Sequence, residues 1–476
     1  MKLSALISGI KTDTIYEDIE IKNITADSRK VKQGDLFVCI KGANFDGHDK
    51  AQSALQDGAA AIITERELPI VGCQIIVEST RAAYSEICAN YFGRPAQELK
   101  LIGVTGTNGK TTTSLLIKGM LDKLGIKSGL IGTVKNMVGD KEYPAELTTP
   151  EYFELQSLFA EMANAGCEYC VMEVSSQALA QKRVEGCCFE LAVFTNLTQD
   201  HLDYHGTIEN YAAAKAELFK KAKKAIFNID DPSWELMAEA ASCSRVTYSA
   251  RYDSADYVAK NIRLFNDHIT YEMIGANTIG RAVLKIPGDF TVYNSMAAAV
   301  SIMELGYDFD KVLSLLPSLE GVKGRIEVVP TDTDYTVIID YAHSPDGLRN
   351  ILTSLRKFAR ARILTVFGCG GDRDAAKRPI MGGIAAELSD ITFVTSDNPR
   401  TEDPNAIIAQ ILKGISRRKY EVRVEADRTK AIALALSEAK AEDIVLLAGK
   451  GHEDYQIIGK EKIHYDEREI VAQLLS

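Results

Sequence analysis

Apolar residues along this chain come in short continuous runs, and most runs end in a polar, glycine-bearing turn. Residues 100–104, around Leu101-Ile102, read as a strand. After a glycine-rich loop, Leu116, Ile117, Met120, Leu121 and Leu124 recur at helical spacing, and Gly125 is placed to stop that helix. Further apolar strands are expected at 129–134, 169–174, 191–197 and 225–229. Continuous apolar strands alternating with helical stretches predict a buried parallel sheet. The style returns at 336–340, 362–367, 391–395 and 443–448. Ahead of both, shorter runs at 35–40 and 59–64, broken by Gly and Asp, predict a small α/β domain that exits at Gly93-Arg94-Pro95. A second polar junction falls at Gly321-Val322-Lys323-Gly324-Arg325.

Length agrees with that division: 476 residues suit about three domains at roughly 100–200 residues each. The balance of 55 Lys+Arg against 66 Asp+Glu gives −11. An acidic chain with no basic block is poorly suited to wrapping nucleic acid or coating an anionic membrane, so neither is an expected partner. Nine cysteines, several in apolar contexts (Cys39, Cys88, Cys369), suit reduced thiols better than a disulfide framework. Cys167 and Cys170 make one C-x-x-C without a second spaced pair, and Cys170 lies inside an apolar strand, which argues against zinc. The first residues lack an apolar signal core and no apolar run nears the roughly 18 residues of a membrane span. A cytoplasmic protein is expected.

The chemistry concentrates at strand ends. Gly103-Val104-Thr105-Gly106-Thr107-Asn108-Gly109-Lys110-Thr111-Thr112-Thr113 joins a strand to a helix. In such a loop backbone N–H groups converge on phosphate oxygens, Lys110 reaches the outer phosphates, and the Thr111 hydroxyl sits on Mg²⁺. The strict P-loop pattern wants glycine at Val104; here it is Gly103, so the subtype is unusual. Glu173 ends a strand, where it could hold Mg²⁺ or be a solvated carboxylate. In Thr195–His205, His201 and His205 are four apart, but the Glu of H-E-x-x-H is absent; helix capping by Asp200 with surface histidines is the alternative. Lys215 lies in a strong helix former and, by itself, reads as a solvated lysine. Asp397-Asn398-Pro399-Arg400 could grip a group bearing both amine and carboxylate, or be an Asx-Pro turn. In the third segment four polar motifs follow four strands, where open parallel sheets bind ligands.

Together, Gly106–Thr111, Glu173-Val174-Ser175-Ser176, Asp200-His201-Leu202-Asp203, Lys215, Asp340-Tyr341-Ala342-His343 and the tail motifs resemble the Mur ligases, across all three segments. The resemblance implies three α/β domains. Residues 1–98 would hold the UDP end of the substrate, 99–328 would be a P-loop ATPase-type domain, and 329–476 a Rossmann-like domain bringing the amino acid. It implies ATP-dependent amide-bond formation through an acyl phosphate, in peptidoglycan biosynthesis. ATP would be held by Gly106, Thr107, Asn108, Gly109, Lys110, Thr111 and Thr112, with Asn294, Arg325 and His343. The metal would be Mg²⁺ on Thr111, Glu173, His201 and Lys215, the lysine carbamylated by CO₂; Lys110, Lys215, Glu173 and His201 would be catalytic.

Ser28, Ala43, Asn44, Phe45, Thr148, Thr149, Ser175, Gln181 and Arg183 match family positions for UDP-N-acetylmuramoyl-L-alanyl-D-glutamate. Arg373, Asp397, Asn398, Pro399, Arg400, Gly449 and Glu453 match those for meso-2,6-diaminopimelate, with Arg400 on the distal carboxylate and Glu453 on the ammonium. A monomer is expected. Three rivals are a folylpolyglutamate synthase, a P-loop kinase and a non-catalytic nucleotide switch.

Overall fold

A computed structural model describes the chain apart from residues 43–44, 199–201 and 417–418. The described residues group into two compact units, Met1–Asp256 with Val300–Leu305 and Tyr257–Ala299 with Gly306–Ser476.

In the first unit, Ile24–Thr25, Leu36–Val38, Ala61–Thr64 and Cys73–Ile76 form a parallel sheet in chain order. Alternate residues bury opposite faces. Leu36, Val38 and Ile63 pack with Leu3, Leu6 and Ile87, whereas Phe37 and Ile62 pack with Ala51 and Ala54. The unit's second sheet runs Ser244–Ser249, Ala222–Asn228, Phe189–Phe194, Lys100–Thr105, Tyr169–Glu173 and Ser128–Ile131, all parallel. Lys100–Thr105 is central, and register pairs Val104 with Glu173 and Thr105 with Phe194. Three strand ends thus meet where the helix Lys110–Lys123 begins.

The second unit's main sheet runs Glu327–Val329, Thr336–Asp340, Ile444–Ala448, Ile363–Phe367, Ile391–Val394 and Glu421–Val424, parallel except for the first strand. Helices cover both faces: Leu348, Leu352 and Ile384 pack with Ile338 and Leu446, and Ile432, Leu436 and Val471 with Ile339 and Leu447. Each such burial contributes about 1.5–3 kcal/mol. Asp340, Ala448, Phe367 and Val394 are successive register partners, so the strand-end motifs open side by side.

Three expectations need correction. The strand expected at 129–134 is Ser128–Ile131, and the one at 191–197 is Phe189–Phe194; the residues that follow each turn out of the sheet. Nor are the strands all parallel. Lys135–Val138 and Lys141–Pro144 add an antiparallel hairpin, and Tyr257–Leu264, Ile269–Gly275 and Thr278–Leu284 form a meander in the second unit. The meander's tight turn is Ala276-Asn277, both left-handed at φ 50° and 60°, a two-residue hairpin turn without the usual glycine. Among the described residues no helix is long and apolar enough to cross a membrane. All nine cysteines are free thiols.

Candidate active site

The glycine-rich loop is shaped by its neighbours. Residues 195–198, having left the adjacent strand, brace it. Thr107 N donates to Asn196 O at 2.8 Å, Asn108 N to Asn196 Oδ1 at 2.9 Å, and Thr195 Oγ1 to Asn108 O at 2.7 Å. Gly106 has no room for a side chain: at φ 149°, a Cβ would lie 1.9 Å from Thr195 Oγ1. Gly109, at φ 85°, precedes the first helical residue, Lys110. Lys110 Nζ bends back onto the carbonyls of Gly106 and Thr107, 2.9 Å from each. A helix N-terminus under a lysine favours anions.

Glu173 is not a solvated strand end; it is only 2% exposed. Its Oε2 accepts from the hydroxyls of Thr111 and Thr133, each at 3.0 Å, and Oε1 accepts from Thr133 N at 2.8 Å. A Cβ on Gly132 would lie 2.5 Å from Oε1, so glycine is what lets the carboxyl come this close to the backbone. A buried carboxylate bonded to neutral donors, beside a P-loop hydroxyl, is an oxygen-donor set that suits a hard divalent cation.

Lys215 is not a solvated helix lysine either. Thr207 caps the helix Ile208–Ala216 by accepting from Asn210 N at 3.2 Å. Its buried face is Tyr211, Ala212, Lys215 and Ala216, one helical turn apart in pairs. Lys215 is 1% exposed, donates to Gly106 O at 2.8 Å and lies 4.4 Å from the Tyr211 ring centroid. Two lysines therefore meet one loop carbonyl. Ala43, Asn44, Asp200 and His201 lie outside the described residues. His205 Nε2 is 2.9 Å from Ser176 Oγ.

A polar chain runs on from Glu173. Thr149 Oγ1 donates to Glu173 O at 2.8 Å and accepts from Ser175 N at 3.0 Å. Arg183 reaches Thr149 O at 2.7 Å and Gln181 Oε1 at 2.6 Å; Thr148 Oγ1 is 3.1 Å from Thr133 Oγ1. Thr148, Thr149, Ser175, Gln181 and Arg183 are thus brought together. Ser28 begins a short turn capped by Asp27, and Phe45 is exposed.

In the second unit, Asp397, Asn398 and Pro399 are buried and Arg400 is half-buried, with φ 50°. The quartet is more than a local turn. Asn398 Nδ2 donates to Glu453 Oε2 at 2.9 Å, and Asn398 O accepts from Gly371 N at 2.9 Å. Arg400 Nη1 donates to Gly371 O at 2.8 Å. Lys450, wholly buried, donates to Asn398 Oδ1 at 3.1 Å. Burial pushes the Glu453 carboxyl up and pulls the Lys450 ammonium down; the Asn398 bond to Glu453 and the Asp397 charge near Lys450 oppose these shifts. Gly449, at φ 116°, leaves a Cβ no more than 2.9 Å from Asp397 Oδ2.

Arg373 is exposed on a loop whose Asp372 accepts from Thr401 Oγ1 at 2.7 Å. Buried Arg378 holds Glu402 through two 2.8 Å bonds, which lowers Glu402 to about 2. Asn294 is buried, Arg325 stacks over Tyr341 at 5.2 Å, and His343 Nδ1 lies 2.8 Å from Tyr341 O; all three belong to this unit. Asp340 accepts from Ile326 N and Ala342 N, each at 2.9 Å, and its burial pushes its carboxyl up.

Sequence reasoning passed over four side chains that shape these clusters. Thr133 was hidden inside an over-long expected strand. Thr195 and Asn196 were visible only as a motif. Lys450 stands between two glycines after a fully apolar strand, a signal that could have singled it out.

The braced loop and the carboxylate paired in register beside it put the chain in the P-loop class of nucleotide-binding α/β folds. Sequence comparison narrows the class. Residues 104–302 match the Mur ligase middle domain, 324–451 the Mur ligase glutamate ligase domain, and 20–92 the Mur ligase family catalytic domain. The chain is 44% identical over 481 residues to UDP-N-acetylmuramoyl-L-alanyl-D-glutamate--2,6-diaminopimelate ligase 1 of Clostridium acetobutylicum, covering 100% of this chain and 99% of that protein. It is also 44% identical over 483 residues to the ligase of the same name from Clostridium botulinum, with the same coverage. A solved structure titled as that ligase matches with TM-score 0.78 and 32% identity over 100% of this chain and 98% of its own. The chain belongs to the Mur ligase family, with its three α/β domains.

Proposed function

We propose that this chain is an ATP-dependent amide ligase that joins meso-2,6-diaminopimelate to the D-glutamate of UDP-N-acetylmuramoyl-L-alanyl-D-glutamate, as a cytoplasmic monomer serving peptidoglycan synthesis. Full-length likeness to proteins named for that reaction supports the substrates. The observation that carries the choice of amino acid is the linkage of Arg400 and Glu453 through Asn398 and Gly371. An amino-acid centre needs a cation for its carboxylate and an anion for its ammonium, and this cluster offers both.

The D-glutamate carboxylate attacks the γ-phosphate, giving an acyl phosphate and ADP. The amine of diaminopimelate then attacks the carbonyl, and phosphate leaves. Lys110 and the loop N–H groups stabilise charge growing on the transferred phosphoryl group. Thr111 and Glu173 fit as Mg²⁺ ligands, with His201 and a carbamylated Lys215 completing the set; bound Mg²⁺ would screen the phosphate charge. Burial of Lys215 against Gly106 supports its part, because a buried ammonium is costly and a carbamate replaces it with an oxygen donor. Asn294, Arg325 and His343 help position ATP. Ser28, Ala43, Asn44 and Phe45 take the UDP end, and the Thr148–Arg183 chain takes the muramoyl peptide. On this reading residues 1–98, 99–328 and 329–476 divide the three tasks.

The test is phosphate release from ATP with UDP-muramoyl dipeptide and meso-diaminopimelate, L-lysine or no amino acid. Turnover only with diaminopimelate supports the reading. Phosphorylation of a hydroxyl, glutamate addition to a folate, or no release in any arm would replace it with one of the rivals.

A further inference from the structure

We propose that Lys450 is a positioning residue of the amino-acid site, acting through the Asn398 side chain; this rests on the reading of that site given above. Lys450 follows the strand Ile444–Ala448, between Gly449 and Gly451, and its side chain is 0% exposed. Burying an ammonium is costly unless oxygens surround it. Here Nζ lies 2.7 Å from Tyr455 O, 3.1 Å from Asn398 Oδ1, 3.4 Å from Asp397 Oδ1 and 3.7 Å from Glu453 Oε2.

The consequence falls on Asn398. Its Oδ1 accepts twice, from Lys450 Nζ and from Ile457 N at 2.9 Å. An amide oxygen held by two donors cannot exchange places with its nitrogen. The NH₂ is therefore fixed toward Glu453 Oε2 at 2.9 Å, which leaves its second N–H to meet a ligand carboxylate. The ammonium also lies between buried Asp397 and half-buried Glu453, of which the first pushes the second toward protonation. Without Lys450, Asn398 Oδ1 keeps only the Ile457 N–H and Glu453 is pushed further toward protonation, so both halves of the grip on an amino acid weaken. A lysine that served folding alone would lower the melting temperature and leave substrate recognition unchanged.

Steady-state kinetics of the full chain, with ATP and UDP-muramoyl dipeptide fixed and meso-diaminopimelate varied, separates these roles. Lys450→Met is expected to raise KM for diaminopimelate about tenfold or more, with KM for ATP within about twofold. Lys450→Gln, which keeps a donor without the charge, should recover part of the loss. Adding Lys450→Met to Asn398→Ala should cost at most about twofold beyond Asn398→Ala alone, because residues acting through one another are not additive. An unchanged KM in Lys450→Met, or an additive double variant, overturns the proposal. So does failure of both Lys450 variants to fold, which would make the residue structural. If the wild-type chain shows no diaminopimelate-dependent turnover, the reading of the site falls first and this role with it.

Discussion

The loop Gly106–Lys110 and the cluster around Asn398 both sit at the ends of parallel strands, yet they are built from different material. The loop is made of backbone. Its shape comes from glycine conformations and from bonds between its own main chain and residues 195–198, and its Lys110 turns back onto the loop's carbonyls. The cluster is made mainly of side chains: Asp397, Asn398, Lys450 and Glu453 hold one another across two strand ends, with backbone support that includes Tyr455 O, Ile457 N and Gly371. Backbone recognises phosphate, which every ATP carries. Side chains recognise what differs from one amino acid to the next. A fold can keep the first site unchanged while substitutions in the second redirect it.

The largest test of the comparison is at the loop's buried lysine. Lys215→Ala should cut amide-ligation kcat by about 10²–10³ and short carboxylates should restore part of it; a variant of near-normal rate would separate Lys215 from the reaction. Next, Gly106→Ala should destabilise the first unit by about 2–3 kcal/mol, because the new Cβ meets Thr195 Oγ1 at 1.9 Å. Calorimetry would show it, and a normal melting temperature would mean that the loop is not held as described. In the cluster, Glu453→Gln should raise KM for diaminopimelate about tenfold, roughly one charge-assisted hydrogen bond, with KM for ATP unchanged. Equal losses for both substrates would dissolve the division of labour.

The smallest effect is on acid stability. Glu402 titrates at about 2 rather than 4.5, so its pairing with Arg378 stabilises the fold above pH 4.5, and that contribution is lost as pH falls toward 2. Glu402→Gln should flatten that part of the stability–pH curve. An unaltered slope would show that the pair does not anchor the 370–402 loops.

Local constraints were easy to read. The spacing of Leu116, Ile117, Met120 and Leu121 announced a helix, and Lys110–Lys123 is one. Nine apolar runs marked strands of the two larger sheets, because a strand buried on both faces has nowhere for a polar residue. The meander's second hairpin was missed because its turn, Ala276-Asn277, lacks a glycine. Lys215 looked solvated because its neighbours Ala212, Ala213 and Ala214 set no apolar stripe; only the family likeness drew notice to it, and its burial depends on Gly106, 109 positions away. Glu173 stayed ambiguous because its partner Thr133 lies 40 positions earlier. Lys450 was passed over because nothing local says which carboxylates a buried cation will meet.

The central claim is that amino-acid choice is made at the side-chain cluster and not at the loop. Its most direct measurement is the ratio of kcat/KM for meso-diaminopimelate to that for L-lysine, in the wild type and in Arg400→Ala. The wild-type ratio should be about 100 or more, and Arg400→Ala should bring it within about tenfold of unity, with KM for ATP unchanged. A ratio that survives the substitution intact would contradict the account.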